Sequence, residues 1–252
     1  MENQQIQKEI LNAASISQFA YKKENQLPLL YTNPDGIILE KIKYFDVDDT
    51  EAVVYHDDTN STLYVAFRGT SSLMDVLTDI NFGCSQFYGM KAHRGFVKAY
   101  KKISSAIMET VKNAIADEKL RTNRVVFCGH SLGGALANLA FYHAVSSYSN
   151  IFRDSNVTCK LVTYGSPKVF NARQMNSVVS DIFLTHAVRL THGDDIVTTL
   201  PKYSSFMKKV FGIEYIHLGE HLGVGEYPDD KDVFSEHSLK TYIAELSENI
   251  LV

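Results

Sequence analysis

Hydrophobic side chains recur along this chain with two different periods, one typical of helices and one typical of strands. Apolar positions three and four residues apart predict amphipathic helices over residues 5–21, 95–118 and 236–250. Short apolar runs bounded by turn residues predict strands instead. These runs lie near 38–45, 51–56, 61–67, 125–128, 159–164, 184–190 and 213–217. Early hairpins followed by alternating strands and helices predict an α/β fold, with a mixed, mostly parallel central sheet and helices on both faces.

Composition adds limits to this fold class. No internal repeat, low-complexity tract or linker divides the sequence, so we expect a single domain over residues 1–252. The chain is 45% hydrophobic and 21% charged, which is ordinary for a globular protein with a sizeable core. The formal net charge of −4 gives no argument for binding nucleic acid or anionic membranes. No run of about 18 apolar residues is present, so we expect no transmembrane helix.

The N-terminus and the cysteines predict the cellular compartment. Residues 1–5 (MENQQ) open no basic n-region or apolar h-region of a secretory signal. A signal already removed would leave no such trace, but an initiating Met1 argues against one. The cysteines Cys84, Cys128 and Cys159 are too few and too scattered for a disulfide framework. We therefore expect a protein of a reducing, cytoplasmic compartment.

A G-x-S-x-G motif occupies residues 129–133 and has an informative setting. The apolar run 125–128 before it predicts a buried strand, and the small-residue run 134–140 after it predicts a helix. Strand, glycine-flanked serine and helix together are the context of a nucleophile elbow, where the hydroxyl stands out at the top of a sheet. Backbone N–H groups at the helix N-terminus then point at an anion formed beside Ser131. A glycine-rich turn with a capping serine is the alternative, and the context favours the nucleophile.

A serine nucleophile needs a histidine that accepts its proton and an acid that orients the histidine. On an α/β-hydrolase sheet the chain order is serine, acid, histidine, so only residues after Ser131 compete. Asp194 and Asp195 follow the strand-like residues 187–190 in a loop, which is where this fold carries the acid. An Asx-type turn explains the same residues. The residues alone therefore leave both aspartates open.

Five histidines need separate interpretations. His237 lies at the start of the last predicted helix, near 236–250. His217 and His221 have a four-residue spacing seen in metal sites, but no third ligand is clear and the metal signal is weak. His186 lies within a strand pattern, so we expect it to be a core histidine. His130 lies inside the elbow, where its side chain is expected to pack rather than react.

An ordered series of motifs carries a family resemblance. The motifs are F-R-G-T at 67–70, H-R-G-F at 93–96, G-H-S-L-G-G-A-L-A at 129–137, T-Y-G-S-P-K-V at 163–169, D-I-V with a following proline within 195–201, and the segment around His237. From about residue 50 onward the chain resembles the class 3 lipases, which are the fungal-type triacylglycerol lipases. The elbow alone is moderately specific, whereas the ordered set is highly specific.

The resemblance implies a role for each matched position and an α/β-hydrolase fold. Ser131 becomes the nucleophile, Asp195 the orienting acid and His237 the general base. Asp194 then becomes a neighbour, and the choice that the residues left open is made by the family pattern. No metal or organic cofactor is needed for this chemistry.

The resemblance also implies an oxyanion hole and a lid. The backbone N–H groups of Thr70 and Leu132 would hold the oxyanion, with the Thr70 hydroxyl as a further donor. Approximately residues 71–81 would form a short helical lid, whose apolar residues cover the cleft when closed and contact lipid when open. An ordinary amphipathic surface helix is the alternative. The chain has no Trp and cannot reproduce the disulfides of the secreted members, so we expect only modest interfacial activation.

The sequence therefore predicts a serine carboxylic-ester hydrolase of lipase type, which cleaves acyl esters of glycerolipids through an acyl-enzyme. Its expected partners are a lipid or other ester substrate and a transient lipid interface, with no nucleic acid. Phospholipase A1, monoacylglycerol lipase and feruloyl esterase are alternatives within the enzyme class. A non-catalytic lipase-like binding or signalling module is the alternative outside it. The filled catalytic positions argue against such a module.

Overall fold

The computed structural model describes residues 2–33, 36–69, 83–174, 177–225 and 236–250. The helices are α1 Glu2–Phe19, α2 Arg94–Ala116, α3 Leu132–Ser147, α4 Ser149–Asp154, α5 Ser177–His186, α6 Ser205–Phe211 and α7 Leu239–Ile250. The strands are β1 Leu30–Thr32, β2 Ile38–Val47, β3 Thr50–Asp57, β4 Thr62–Phe67, β5 Cys84–Phe87, β6 Met90–His93, β7 Arg124–His130, β8 Thr158–Tyr164, β9 Phe170–Asn171, β10 Ala187–His192, β11 Tyr215–Ile216 and β12 Glu220–Val224. The single-domain organisation over residues 1–252 stays a prediction.

A central eight-stranded sheet has the order β1-β2-β3-β4-β7-β8-β10-β12. Its first four strands pair antiparallel, as the early hairpins predict. From β4 onward each strand pairs parallel with the next. The predicted mixed, mostly parallel sheet is therefore confirmed. A second sheet of four short strands, β11-β9-β6-β5, was not predicted.

The core lies on both faces of the central sheet. Successive side chains of β7 alternate between two hydrophobic clusters, with Val125 and Phe127 in one and Val126 and Cys128 in the other. Helices α2 and α3 cover the first cluster, whereas α1 and α7 cover the second. Because a strand covered on both faces is apolar throughout, β7 is a continuous apolar run rather than an alternating pattern.

One strand prediction and one histidine prediction were wrong. The strand expected over 184–190 is divided between α5, which ends at His186, and β10, which begins at Ala187. The apolar residues before His186 fit a helix as well as a strand, because a short apolar run does not distinguish the two. His186 is consequently exposed at the end of α5 rather than buried in the core, and its Nδ1 lies 2.5 Å from the Thr185 hydroxyl.

The parallel strands bring chemistry-bearing residues to one edge of the sheet. Ser131 follows β7, Gly165 follows β8, Asp195 follows β10 and Gly69 follows β4. Because parallel strands end at the same edge, the segments after them lie side by side. This carboxyl edge holds the candidate site.

Candidate active site

Ser131 stands on the sharp turn between β7 and α3. Its backbone has φ +58° and ψ −128°, a conformation that non-glycine residues adopt only when the surrounding structure imposes it. The glycines are required by close backbone contacts. A Cβ on Gly129 would collide with the Gly133 backbone, and a Cβ on Gly133 would collide with the Phe67 carbonyl. The Ser131 N–H donates to the Tyr164 carbonyl at 3.0 Å, which ties the turn to β8.

The Ser131 side chain is buried, and its Oγ has no hydrogen-bond partner among the residues that the structure describes. A buried hydroxyl without a partner is unusual in a folded protein and is expected where a reacting group waits for its substrate. Leu132 directly follows as the first residue of α3, where backbone N–H groups lack intrahelical partners. Gly69 lies opposite, since a Cβ built on it would be 3.2 Å from the Ser131 Cβ. Thr70 and the predicted lid at 71–81 lie outside the described residues.

Asp195 is the buried member of the aspartate pair, and Asp194 is exposed. The Asp195 Oδ1 accepts the Val197 N–H at 3.0 Å at the start of a 3-10 turn over Ile196–Thr199. Its Oδ2 accepts the Tyr242 hydroxyl at 2.8 Å. The capping turn considered from the sequence therefore exists, but it occupies only part of the carboxylate. The Asp195 carboxylate also accepts a hydrogen bond from a histidine.

His237 is that histidine. Its Nδ1 lies 2.8 Å from Asp195 Oδ2 and 2.9 Å from Oδ1, and both residues are buried. Gly165 leaves space for this contact, because a Cβ there would approach within 3.0 Å of His237 Nδ1 and closer still to Asp195. At φ +55°, Gly165 also has a backbone conformation that favours glycine. The structure thus brings together the three predicted triad positions at one edge of the sheet, with a hydrogen-bonded acid and histidine.

His130 is buried, as expected, and also hydrogen-bonded at both ring nitrogens. Burial lowers the pKa of His130 to about 3, so the ring is neutral. Its Nε2 lies 2.6 Å from the His237 carbonyl, and a carbonyl only accepts, so Nε2 carries the proton. Its Nδ1 must then accept from the Tyr21 hydroxyl at 2.8 Å. Burial also raises the pKa of Tyr21, which keeps the phenol protonated as a donor.

A second histidine–carboxylate pair lies directly behind the first. The His192 Nδ1 is 2.5 Å from Glu236 Oε2, and both side chains are buried. The His192 backbone N–H donates to the Tyr242 hydroxyl at 2.9 Å. Glu236 directly precedes His237, and His192 lies just before Asp195 in the chain, so this pair connects the two loops that carry them. Sequence reasoning missed His192, Glu236 and Tyr242.

His217 and His221, whose spacing resembles that of a metal site, lie close to different oxygen atoms of the protein. The His217 Nε2 lies 2.6 Å from the Thr198 carbonyl, and the His221 Nε2 lies 2.7 Å from the Thr191 hydroxyl. In the described ranges no three His, Cys, Asp or Glu side chains are grouped to hold a metal ion.

None of the helices in the described ranges combines the length and hydrophobicity that a membrane crossing requires.

Comparisons with known proteins match this chain in sequence and in fold. A family model described as Lipase (class 3) matches residues 64–205, more than half of the chain. The secreted mono- and diacylglycerol lipase 1 of Fusarium solani is 33% identical over 184 residues, covering 72% of this chain and 49% of that protein. The chain spans less than half the length of the curated relatives that it matches.

Two solved structures are similar over most of the chain. The native complex of the Rhizomucor miehei lipase with its propeptide has a TM-score of 0.71 at 26% identity, covering 88% of this chain and 69% of that one. A triacylglycerol lipase whose catalytic centre is a serine protease triad has a TM-score of 0.67 at 25% identity. The match covers 87% of this chain and 80% of that one. Together they confirm the predicted α/β-hydrolase fold.

The comparisons contradict the predicted cytoplasmic location. The Fusarium relative and the matched lipases of Penicillium are described as secreted. The cysteine argument was wrong because a core of this size does not need disulfides to be stable. All three cysteines are free, and free cysteines in such a chain do not distinguish a reducing from an oxidising compartment.

Proposed function

Because this chain belongs to the class 3 lipase family, we propose that it is a serine ester hydrolase that cleaves acyl esters of acylglycerols. One observation carries the proposal. A buried aspartate accepts a hydrogen bond from a buried histidine, Asp195 to His237 at 2.8 Å, at the same edge of the sheet as an elbow serine. A serine hydrolase requires this combination, since the acid holds the imidazole in the tautomer that accepts the serine proton.

In the proposed reaction the Ser131 Oγ attacks the ester carbonyl carbon. The His237 Nε2 accepts the hydroxyl proton while the new C–O bond forms, and it returns the proton to the leaving alcohol when the ester C–O bond breaks. A water molecule then attacks the acyl-enzyme, again giving a proton to His237. The bond between the acyl carbon and the Ser131 Oγ then breaks, His237 returns the proton to Oγ, and the fatty acid leaves.

Asp195 acts through the histidine. Its carboxylate accepts a hydrogen bond from the Nδ1–H group and stabilises the imidazolium that forms during each proton transfer. Hydrogen bonds from the Val197 N–H and the Tyr242 hydroxyl fix the carboxylate in place. These donors also supply hydrogen bonds that a carboxylate in a buried position needs.

The tetrahedral oxyanion is assigned to the backbone N–H groups of Leu132 and Thr70. The position of Leu132 at the beginning of α3 supports its part, because the helix N-terminus carries unpaired N–H groups and a positive partial charge. For Thr70 the support is its neighbour Gly69, which lies against Ser131. The printed names of the relatives, mono- and diacylglycerol lipase and triacylglycerol lipase, support acylglycerols as the substrate class.

Labelling with a fluorophosphonate tests the proposal, since this reagent reacts with an activated serine. We expect the wild-type protein to be labelled and Ser131→Ala not to be. Ser166→Ala is the matched control, because Ser166 is another buried serine, packed against Gly134 beside the elbow. It should retain labelling. Hydrolysis of diolein and triolein should run parallel to labelling, and an unlabelled wild-type protein would overturn the proposal in favour of a binding module.

A further inference from the structure

Helix α6, Ser205–Phe211, is the most exposed apolar element of the described chain. None of its seven residues is buried. Phe206 is 63% exposed and Phe211 59% exposed, and every other phenylalanine that the structure describes is buried. Tyr203 and Val210 add further exposed apolar area beside them. Several large exposed apolar side chains on one short segment indicate an interaction surface rather than scattered surface residues.

The apolar side chains form one cluster. The rings of Phe206 and Phe211 lie 6.1 Å apart, and Val210 is one helical turn from Phe206 on the same face. We call Tyr203, Phe206, Val210 and Phe211 the aromatic ridge. The Ser204 hydroxyl caps the helix at one end, and the Asn171 side chain donates to the Gly212 carbonyl at the other.

Positive charge accompanies the aromatic ridge. Residues 196–213 contain three lysines and neither Asp nor Glu, although the whole chain carries a net charge of −4. Lys202, Lys208 and Lys209 are all exposed. Lys208 forms an ion pair with Glu214 at 2.7 Å and lies over the Tyr203 ring. The exposed cations beside the ridge are therefore Lys202 and Lys209, while Lys208 is paired with Glu214.

A cavity of about 350 Å³ continues this surface toward the second sheet. Met207, Phe211 and Ile213 form its apolar wall, and Lys91 and Arg94 line it as well. The arrangement of the ridge is thus repeated, with apolar side chains next to cations. Such a cavity fits the region where a lipid headgroup meets an acyl chain.

We infer that the aromatic ridge and its lysines dock the protein on an anionic lipid surface. A short helix with phenylalanines next to lysines is suited to lie at the headgroup boundary, with the rings among the acyl chains and the ammonium groups beside lipid phosphates. A second copy of this chain fits less well, because its ridge would bring the same positive charges together. The inference deepens the proposed function, on which it rests for the presence of lipid at the site.

Sedimentation with vesicles of dialkyl-ether phospholipids tests the inference, because an ester hydrolase does not cleave ether lipids. We expect wild-type protein to bind an equimolar mixture of phosphatidylcholine and phosphatidylglycerol much more tightly than phosphatidylcholine alone. Salt should weaken the binding. Lys202→Gln/Lys209→Gln should weaken it about 25-fold, at about fivefold for each lysine near an anionic surface. Phe206→Ser/Phe211→Ser should weaken it about tenfold or more, because two phenyl rings are lost from the lipid.

Matched variants on other surfaces provide the controls. Leu29→Ser/Leu30→Ser removes two side chains that are 70% and 63% exposed, and Lys98→Gln/Lys101→Gln removes two exposed lysines of α2. Both should bind vesicles as the wild type does. Equal loss in test and control variants, or no preference for phosphatidylglycerol, would overturn the inference. So would a dimer in solution that Phe206→Ser/Phe211→Ser dissociates without any change in vesicle binding.

Hydrolysis of a soluble nitrophenyl ester separates this inference from the proposed function. The ridge variants should hydrolyse it at the wild-type rate, since the ridge is not part of the candidate active site. Vesicle binding without any hydrolysis would contradict the proposed function and leave the docking surface standing. Hydrolysis without vesicle binding would contradict the docking surface and leave the proposed function standing.

Discussion

The Tyr21 hydroxyl lies 2.8 Å from the Nδ1 of His130, and this contact connects the segment after α1 to the candidate nucleophile elbow. The same hydroxyl lies against Gly69, where an added Cβ would collide with it, and Gly69 is next to the predicted oxyanion residue Thr70. On its other side the His130 ring donates to the His237 carbonyl. One phenol therefore links the three chain segments that carry the elbow, the candidate base and the predicted oxyanion hole.

Tyr21→Phe tests this link. The change leaves the buried His130 Nδ1 without its donor, which should lower the free energy of unfolding by about 1–3 kcal/mol in urea denaturation. Because the elbow and the His237 loop lose a shared anchor, kcat for a nitrophenyl ester should fall while KM changes little. Tyr31→Phe is the control, since the Tyr31 ring packs edge-on against Phe19 in the α1 region. Equal effects of the two substitutions would show that the Tyr21 hydroxyl has no special role.

The aspartate pair gives a sharper prediction. Asp195→Asn should reduce kcat by about 10⁴-fold, because an amide no longer favours the His237 tautomer with its proton on Nδ1. Asp194→Asn should leave kcat nearly unchanged, because Asp194 is exposed. Steady-state kinetics of the two purified variants make the comparison. The reverse order, or similar losses, would mean that the assignment of the acid is displaced by one residue.

Acid should destabilise the protein through its buried neutral histidines. Burial lowers the pKa of His143 to about 4 from an ordinary value of 6.5. Between these two values the unfolded chain binds a proton that the folded chain does not, so stability falls as the pH is lowered from 6.5 toward 4. In His143→Gln the slope of unfolding free energy against pH should be shallower by up to about 1.4 kcal/mol per pH unit.

Urea denaturation across this pH range measures the slope, and His186→Gln is the control because its ring is exposed at the end of α5. An unchanged slope in His143→Gln would place the acid sensitivity elsewhere. The pKa values of the buried His130 and the half-buried His217 are also lowered, and removal from water is the main cause for both, so the wild-type slope should exceed the share of His143 alone.

Local patterns were sufficient to predict the elbow and the central sheet. The glycines around Ser131 are required by backbone contacts within a few residues, and β7 is buried on both faces, so both leave a short-range signal. The second sheet left little signal: the strand predicted near 213–217 contains β11, but β9 has two residues and β5 and β6 have four each, which is too short to show a period. The boundary at His186 was missed because an apolar run is compatible with both a helix and a strand.

The supporting contacts of the site depend on the tertiary fold. Tyr21 and His130 are 109 residues apart in the chain, and no local pattern predicts that they meet. Tyr242 has the apolar spacing of an ordinary core residue of the last helix, yet its hydroxyl donates to Asp195. The choice between Asp194 and Asp195 also depends on the tertiary fold, because both lie in one turn and only the packing around them decides which side chain is buried.

The most direct test of Ser131 as the nucleophile is the hydrolysis rate of purified Ser131→Ala on a nitrophenyl ester. We expect a fall of about 10⁶-fold in kcat, since the nucleophile is lost. The unfolding midpoint should stay close to that of the wild type, because the Ser131 hydroxyl has no hydrogen-bond partner in the described part of the chain. A folded Ser131→Ala protein that retains substantial hydrolysis would contradict the assignment of Ser131 as the nucleophile.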